Sequence, residues 1–182
     1  MGAATVSRYV GFGSRDEFFF LTLSTPLVVE GGAGTDYILS NGTGGGWLFG
    51  QGGDDVIHGG GGGSNTIYGD YSWDDAVSGL PWGNDQIVAA GAHDIIFGGS
   101  GDDFVNAGAG NDNASGGPGA DHVWGGAGRD LITGDAGNDM LFGATALLEP
   151  SLSKITVEFD GVTDVALTNT RTEGGLWGVL AP

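Results

Sequence analysis

The chain has 182 residues, of which 40 are glycine, and its five Lys or Arg against 23 Asp or Glu leave a net charge of -18. An acidic surface of this kind excludes nucleic acid as a partner, because phosphate contacts need Lys and Arg. It also disfavours anionic membranes and suits cations. The absence of cysteine excludes disulfides and thiolate zinc sites.

Residues 1–30 carry alternating and apolar runs without a repeat and are expected to form an N-terminal cap. Within them, FFFLTLSTPLVV at 18–29 is too short and too polar to span a bilayer, so no membrane insertion is expected. The start, MGAATVSRYVGFGSRDE, lacks the apolar core of a cleaved secretory leader. Val6 stands where a myristoylation pattern needs Ser or Thr. Export is therefore expected to use another route.

Residues 31–142 form a Gly–Asp block with a nine-residue period. Its units include GGSGDDFVN at 98–106, AGAGNDNAS at 107–115, GGPGADHVW at 116–124, GGAGRDLIT at 125–133 and GDAGNDMLF at 134–142. Asp85, Asp94, Asp103, Asp112, Asp121, Asp130 and Asp139 follow one another at nine-residue spacing. Two places after each stands a small or apolar residue: Ile87, Ile96, Val105, Ala114, Val123, Ile132 and Leu141. Upstream the frame persists with changes. Asp36 precedes Ile38 and Asp55 precedes Ile57, whereas Gly46 and Asn65 replace the acid before Leu48 and Ile67. SWDDAVSGLPW at 72–82 is an insertion that widens one loop. A flexible Gly-rich linker needs no such register; fixed-period self-similarity signals stacked repeats. A phosphate-cradling loop is excluded because no Gly-Lys-Ser/Thr follows the glycines.

Residues 143–182 lose the repeat and are expected to form a C-terminal cap. There, KITVEF and VALTNT flank DGVTD, which reads as a β-hairpin by alternation and turn composition. No segment of the chain has a helical period.

Each unit divides into a six-residue turn and a three-residue strand. Glycine allows the positive-φ backbone such turns need, so that carbonyl oxygens can converge with the aspartate. Calcium takes six to eight oxygens at roughly 2.3–2.6 Å, and two stacked turns can supply that shell. The apolar eighth residue points inward and its neighbours outward. Adjacent coils lie about 4.8 Å apart, so unneutralised aspartates in a column repel one another. The block holds fifteen Asp and one Arg, a net of -14. Its interior is thin. Metal binding and folding are therefore expected to be one event, with the chain disordered in chelator and β-rich in millimolar calcium.

The pattern Gly-Gly-x-Gly-x-Asp-x-apolar-x resembles the RTX family, the calcium-binding "repeats in toxin" of exported bacterial proteins. The resemblance covers about 31–142 and is most regular over 98–142. It implies an all-β fold, a right-handed parallel β-roll with N-terminal and C-terminal β-rich caps, in which two nonapeptides make one coil. Turns on one side are then eighteen residues apart. One acidic column would hold Asp36, Asp55, Asp85, Asp103, Asp121 and Asp139. The other would hold Asp94, Asp112 and Asp130 above the uncharged Gly46 and Asn65, where early sites are expected to be weak or absent. By the family pattern, carbonyls at the second and fourth places join each aspartate to hold several Ca²⁺ ions. These places are Gly99, Gly101, Gly108, Gly110, Gly117, Gly119, Gly126, Gly128, Asp135 and Gly137.

His58, His93 and His122 fall at different places of different units and read as surface side chains, with no His-Glu-x-x-His motif among them. No Gly-x-Ser-x-Gly elbow is present, and the chain is not expected to be an enzyme. Outward places carry Trp47, Phe49, Tyr68, Ile95, Phe97 and Leu131 on one face and Trp124, Met140 and Phe142 on the other. Such patches are expected to be covered by the flanking segments or to meet a second subunit or a protein partner.

The resemblance implies a secreted calcium-binding or structural module that leaves by type I secretion, with the export address in 143–182. Two alternatives stand beside it. One is a subunit of an extracellular assembly such as a surface layer or virus particle. The other is the non-catalytic tail of a secreted enzyme; Met1 and the short segment before the repeats are read as leaving no room for a catalytic domain upstream.

Overall fold

Alternating inward and outward residues on three-residue strands can bury an apolar face only by stacking, and the computed structural model shows that stack. It describes residues 7–11, 13–22, 24–70 and 82–144, together with the backbone of four short strands beyond. Two parallel sheets face each other, forming a β-solenoid of about six turns.

The first sheet runs in the order β1 (Ser7–Val10), β3 (Leu27–Ala33), β5 (Gly46–Gly52), β7 (Asn65–Tyr68), β9 (Ile95–Phe97), β12 (Asn113–Ser115), β14 (Leu131–Thr133) and β16 (Lys154–Thr156). The second runs β2 (Phe18–Leu21), β4 (Tyr37–Ser40), β6 (Val56–His58), β8 (Gln86–Val88), β10 (Phe104–Asn106), β13 (His122–Gly128), β15 (Met140–Ala144) and β17 (Val165–Leu167), with β11 (Ala109–Gly110) pairing β13. Successive chain segments therefore alternate between the sheets, two units to a coil. The register step is 18 residues in the regular run, as from Phe104 to His122. It rises to 30 between Val56 and Gln86, where the insertion enters. Residues 72–81 of that insertion, with residue 71 before it, lie outside the described residues.

The core consists of two facing ladders. Ile38, Ile57, Ile87, Val105, Val123 and Leu141 stack in the second sheet, and Val29, Leu48, Ile67, Ile96, Ala114 and Ile132 in the first. All are buried, with exposures of 0–1 %. The eighth-place residue of each unit is thus the inward one, as the alternation requires.

Two expectations for the flanks need correction or refinement. The N-terminal cap is built as a coil of the solenoid: β1 pairs β3 and β2 pairs β4, both parallel. The two described strands of the expected C-terminal hairpin do not pair with each other, and the turn between them lies outside the described residues. Lys154–Thr156 adds to β14 in one sheet and Val165–Leu167 adds to β15 in the other, both parallel. Alternation specifies a half-buried strand but not its neighbour. The open edges of a solenoid offer unpaired backbone groups to any following strand. Among the described residues of this region, β18 (Thr170–Arg171) pairs antiparallel with β19 (Gly175–Leu176).

The outer faces carry stacked rings. Phe49, Tyr68 and Phe97 align in register on the first sheet, with ring centroids 5.2 and 4.8 Å apart. On the second sheet, Trp124 stacks on Phe142 at 4.8 Å and tilts against Phe104 at 4.6 Å. Phe49 lies on the outward side of its strand and is 1 % exposed, so its ring is covered in the folded chain. Trp47 and Phe97 are exposed, whereas Tyr68, Trp124 and Phe142 are half-buried.

Candidate metal centre

The aspartates at the sixth place of each unit fall into the two expected columns, and the backbone ties each column together. The amide N–H of Asp36 donates to Asp55 Oδ1, that of Asp55 to Asp85 Oδ1, and that of Asp85 to Asp103 Oδ1, each at 2.8 Å. Asp103 continues to Asp121 and Asp121 to Asp139. In the second column Asn65 donates to Asp94 Oδ1, Asp94 to Asp112 and Asp112 to Asp130. One carboxylate oxygen of each side chain therefore has a structural task, that of satisfying a buried N–H of the preceding coil.

The other oxygen of seven of them has none. Oδ2 of Asp36, Asp55, Asp85, Asp94, Asp103, Asp112 and Asp121 is buried with no hydrogen-bond partner, and these side chains are at most 3 % exposed. Buried polar atoms are ordinarily paired, and an unpaired one marks strain or a missing ligand. Burial raises the carboxyl pKa of these groups above the usual range. Desolvation is the leading cause throughout, partly opposed by the backbone N–H and reinforced in most of them by neighbouring carboxylates. Asp85 is pushed up to about 9, Asp55 and Asp121 to about 8, Asp103 to about 7 and Asp112 to about 6; Asp36 and Asp94 are also raised. Without a counter-ion these columns favour protonation.

In the turns beside these columns, second-place carbonyls accept from the next coil: Gly108 O from Ala127 N–H at 2.7 Å and Gly117 O from Ala136 N–H at 3.2 Å. A Cβ on Gly117, at φ +115°, would stand 1.9 Å from the carbonyl oxygen of Gly99 one coil below, so only glycine lets the second-place backbones approach. The other expected second- and fourth-place residues occupy the same two rows of turns. Asp135 takes a positive φ of 69° without being glycine, and Ser115 Oγ donates to its carboxylate. The first-place glycines make room for the carboxylates: a Cβ on Gly98 would lie 2.5 Å from Asp103 Oδ2, and one on Gly116 2.3 Å from Asp121 Oδ2.

These donors are all oxygen, one carboxylate to two carbonyls per turn, in a site lacking nitrogen or sulfur ligands. That set fits a hard divalent cation such as Ca²⁺. Among the described residues no three acidic or histidine side chains converge as a metal cluster. An ion would therefore be held by the free Oδ2 of aspartates from stacked turns and completed by second- and fourth-place carbonyls. Bound there, it would supply the positive charge that buried carboxylates lack.

Several participants are not marked by the nonapeptide frame. The N–H of Glu17 donates to Asp36 Oδ1 at 2.7 Å, which places Glu17 at the head of the first column. Its 19-residue distance from Asp36, equal to that from Asp36 to Asp55, is the signal that would have revealed it. A second, exposed ladder runs at the fifth place in the opposite sense: Asn84 N–H to Asp54, Asp102 N–H to Asn84 and Ala120 N–H to Asp102. On the other side His93 Nδ1 accepts from Asn111 N–H, and Asn111 accepts from Arg129 N–H. His93 thus acts as a surface hydrogen-bond acceptor. Asp70, at the base of the insertion, accepts from Gly83 N–H and Ser100 N–H and fastens the widened loop to the next coil.

A family model, RTX calcium-binding nonapeptide repeat (4 copies), matches residues 82–114 and 115–145. No curated protein and no solved structure gives a significant match to the chain. Among the described residues no helix is long and apolar enough to cross a membrane. The match to RTX calcium-binding nonapeptide repeats thus spans residues 82–145, and the parallel β-solenoid in which they lie reaches upstream to Ser7.

Proposed function

We propose that this protein is an extracellular calcium-binding module, non-catalytic, whose repeat region folds when it meets calcium outside the cell after type I export. The carrying observation is the pair of columns in which seven buried carboxylate oxygens have no partner. A column of ionised, desolvated aspartates opposes folding, and a divalent ion between turns reverses that sign. Calcium is scarce in the cytosol and plentiful outside, so the same sequence would stay open until exported. Calorimetric titration with calcium tests the reading. Several ions per chain are expected, with folding in step; no uptake at millimolar calcium contradicts it.

A second reading, a subunit of an extracellular assembly, is favoured by exposed rings. Phe18 and Phe20 at the N-terminal end of the second sheet are 68 % and 57 % exposed, and Trp82 is 70 % exposed. Light scattering in calcium separates the two readings: a monomer at high concentration removes the assembly.

A further inference from the structure

The second column begins with a residue that does not match the others. Asn65 stands in register with Gly46 below and donates its backbone N–H to Asp94 Oδ1 at 2.7 Å. It is 2 % exposed. Its side-chain Nδ2 makes three further contacts: Gly60 O at 3.1 Å, Gly63 O at 3.2 Å and Asp94 Oδ1 at 3.1 Å. Two loop carbonyls and the carboxylate of the next coil thus converge on one amide nitrogen. Asn65 Oδ1 is buried without a partner, as is Oδ2 of the downstream Asp94, Asp103, Asp112 and Asp121. Those aspartates carry a charge and no N–H donor in the side chain, whereas Asn65 is neutral and donates.

We infer that Asn65 takes the place of a metal ion in its own turn, so that the turn at 59–65 and strand β7 hold their shape without calcium while the downstream turns need it. The inference rests on the calcium reading above for the downstream turns. Its physical basis is donor chemistry. An amide NH₂ offers two N–H donors and no negative charge, so it can satisfy inward-facing oxygens that would otherwise wait for a cation. It also removes one member of the like-charged column, because Gly46 beneath it carries no acid and Asp94 above is faced by donors. Metal-independent packing flanks the same strand. Leu48, Ile67 and Ile96 stack at 0 % exposure, and Tyr68 lies between the rings of Phe49 and Phe97. The first column keeps Asp36 and Asp55, so the joint is one-sided: one edge of the early solenoid is closed by the protein's own amide. Downstream repeats then have a formed edge on which to add as calcium arrives.

Amide hydrogen exchange on the full chain in chelator tests this. Residues 59–68 are expected to exchange at least tenfold more slowly than 98–115. Asn65→Asp, which restores an acidic pair with Asp94, is expected to erase that protection in chelator, regain it in calcium and bind one more ion than wild type. Asn65→Ala removes the donors without adding charge; it is expected to lose the protection in chelator and to keep the wild-type ion count. Equal exchange of 59–68 and 98–115 in chelator, or protection of 59–68 unchanged in both variants, would overturn the inference. Failure of calcium to protect 98–115 in the wild type would instead sink the calcium reading and leave the chelator comparison standing.

Discussion

Replacing Asp103 by Asn should stabilise the metal-free solenoid and weaken the calcium-loaded one. Asp103 is 2 % exposed, its Oδ1 accepts from Asp85 N–H at 2.8 Å and its Oδ2 has no partner. Asparagine keeps the Oδ1 acceptor and puts an NH₂ where Oδ2 stood, so the ladder survives. The charge does not. Burial holds the Asp103 carboxyl at about 7 against an ordinary 3.8, and each pH unit of that gap corresponds to about 1.4 kcal/mol. Keeping it ionised above pH 7 in the metal-free fold therefore costs on the order of 4 kcal/mol, a ceiling that relaxation of the turn reduces. Asp103→Asn removes this cost. In chelator at pH 7.5, refolding driven by trimethylamine N-oxide and followed by circular dichroism should need less osmolyte than the wild type. In saturating calcium the variant lacks an anionic ligand, and its thermal midpoint and ion count should both fall. A shift of the same sign in both conditions would refute the reasoning, because it would mean that charge at this position is not what calcium neutralises.

Acid should partly substitute for calcium. The folded carboxyls of Asp85, Asp55 and Asp121 lie at about 9, 8 and 8, so the folded state binds more protons than the unfolded chain. Metal-free stability is then greatest below about pH 4 and declines as pH rises through those values; circular dichroism in chelator should show more β structure at pH 4.5 than at pH 8.5. Gly117→Ala should lower the thermal midpoint in calcium by several degrees, because it combines φ +115° with a Cβ 1.9 Å from Gly99 O and strains the backbone by more than about 1 kcal/mol. Gly61→Ala, whose Cβ would meet nothing nearer than 3.5 Å, should leave the midpoint unchanged. Ile96→Ala opens a cavity in a fully buried ladder and should destabilise the loaded protein by about 2–5 kcal/mol, read by denaturant titration in calcium.

Much of this molecule was legible from spacing because each unit repeats one physical problem. The inward Ile87, Val105 and Val123 and the columned Asp85, Asp103 and Asp121 follow directly from the nine-residue frame. The first coil was hidden because Arg8 and Glu30 pair as ions across β1 and β3, and because Phe18–Leu21 reads as a greasy run rather than a repeat. The burial of Phe49 was equally illegible, since alternation gives a side chain's face but not what packs over it. The roles of Asn65 and Asp70 depend on loops one residue longer or carrying an insertion, where hydrogen-bond partners are set by the path of the backbone and not by the count of residues.

The most direct test follows calcium binding and β structure in the same sample. As calcium is titrated into chelated protein, heat of binding and far-ultraviolet dichroism should rise with one shared midpoint, and β content should increase cooperatively. Equal β content before and after calcium, with or without bound ions, would contradict the coupling of ion to fold.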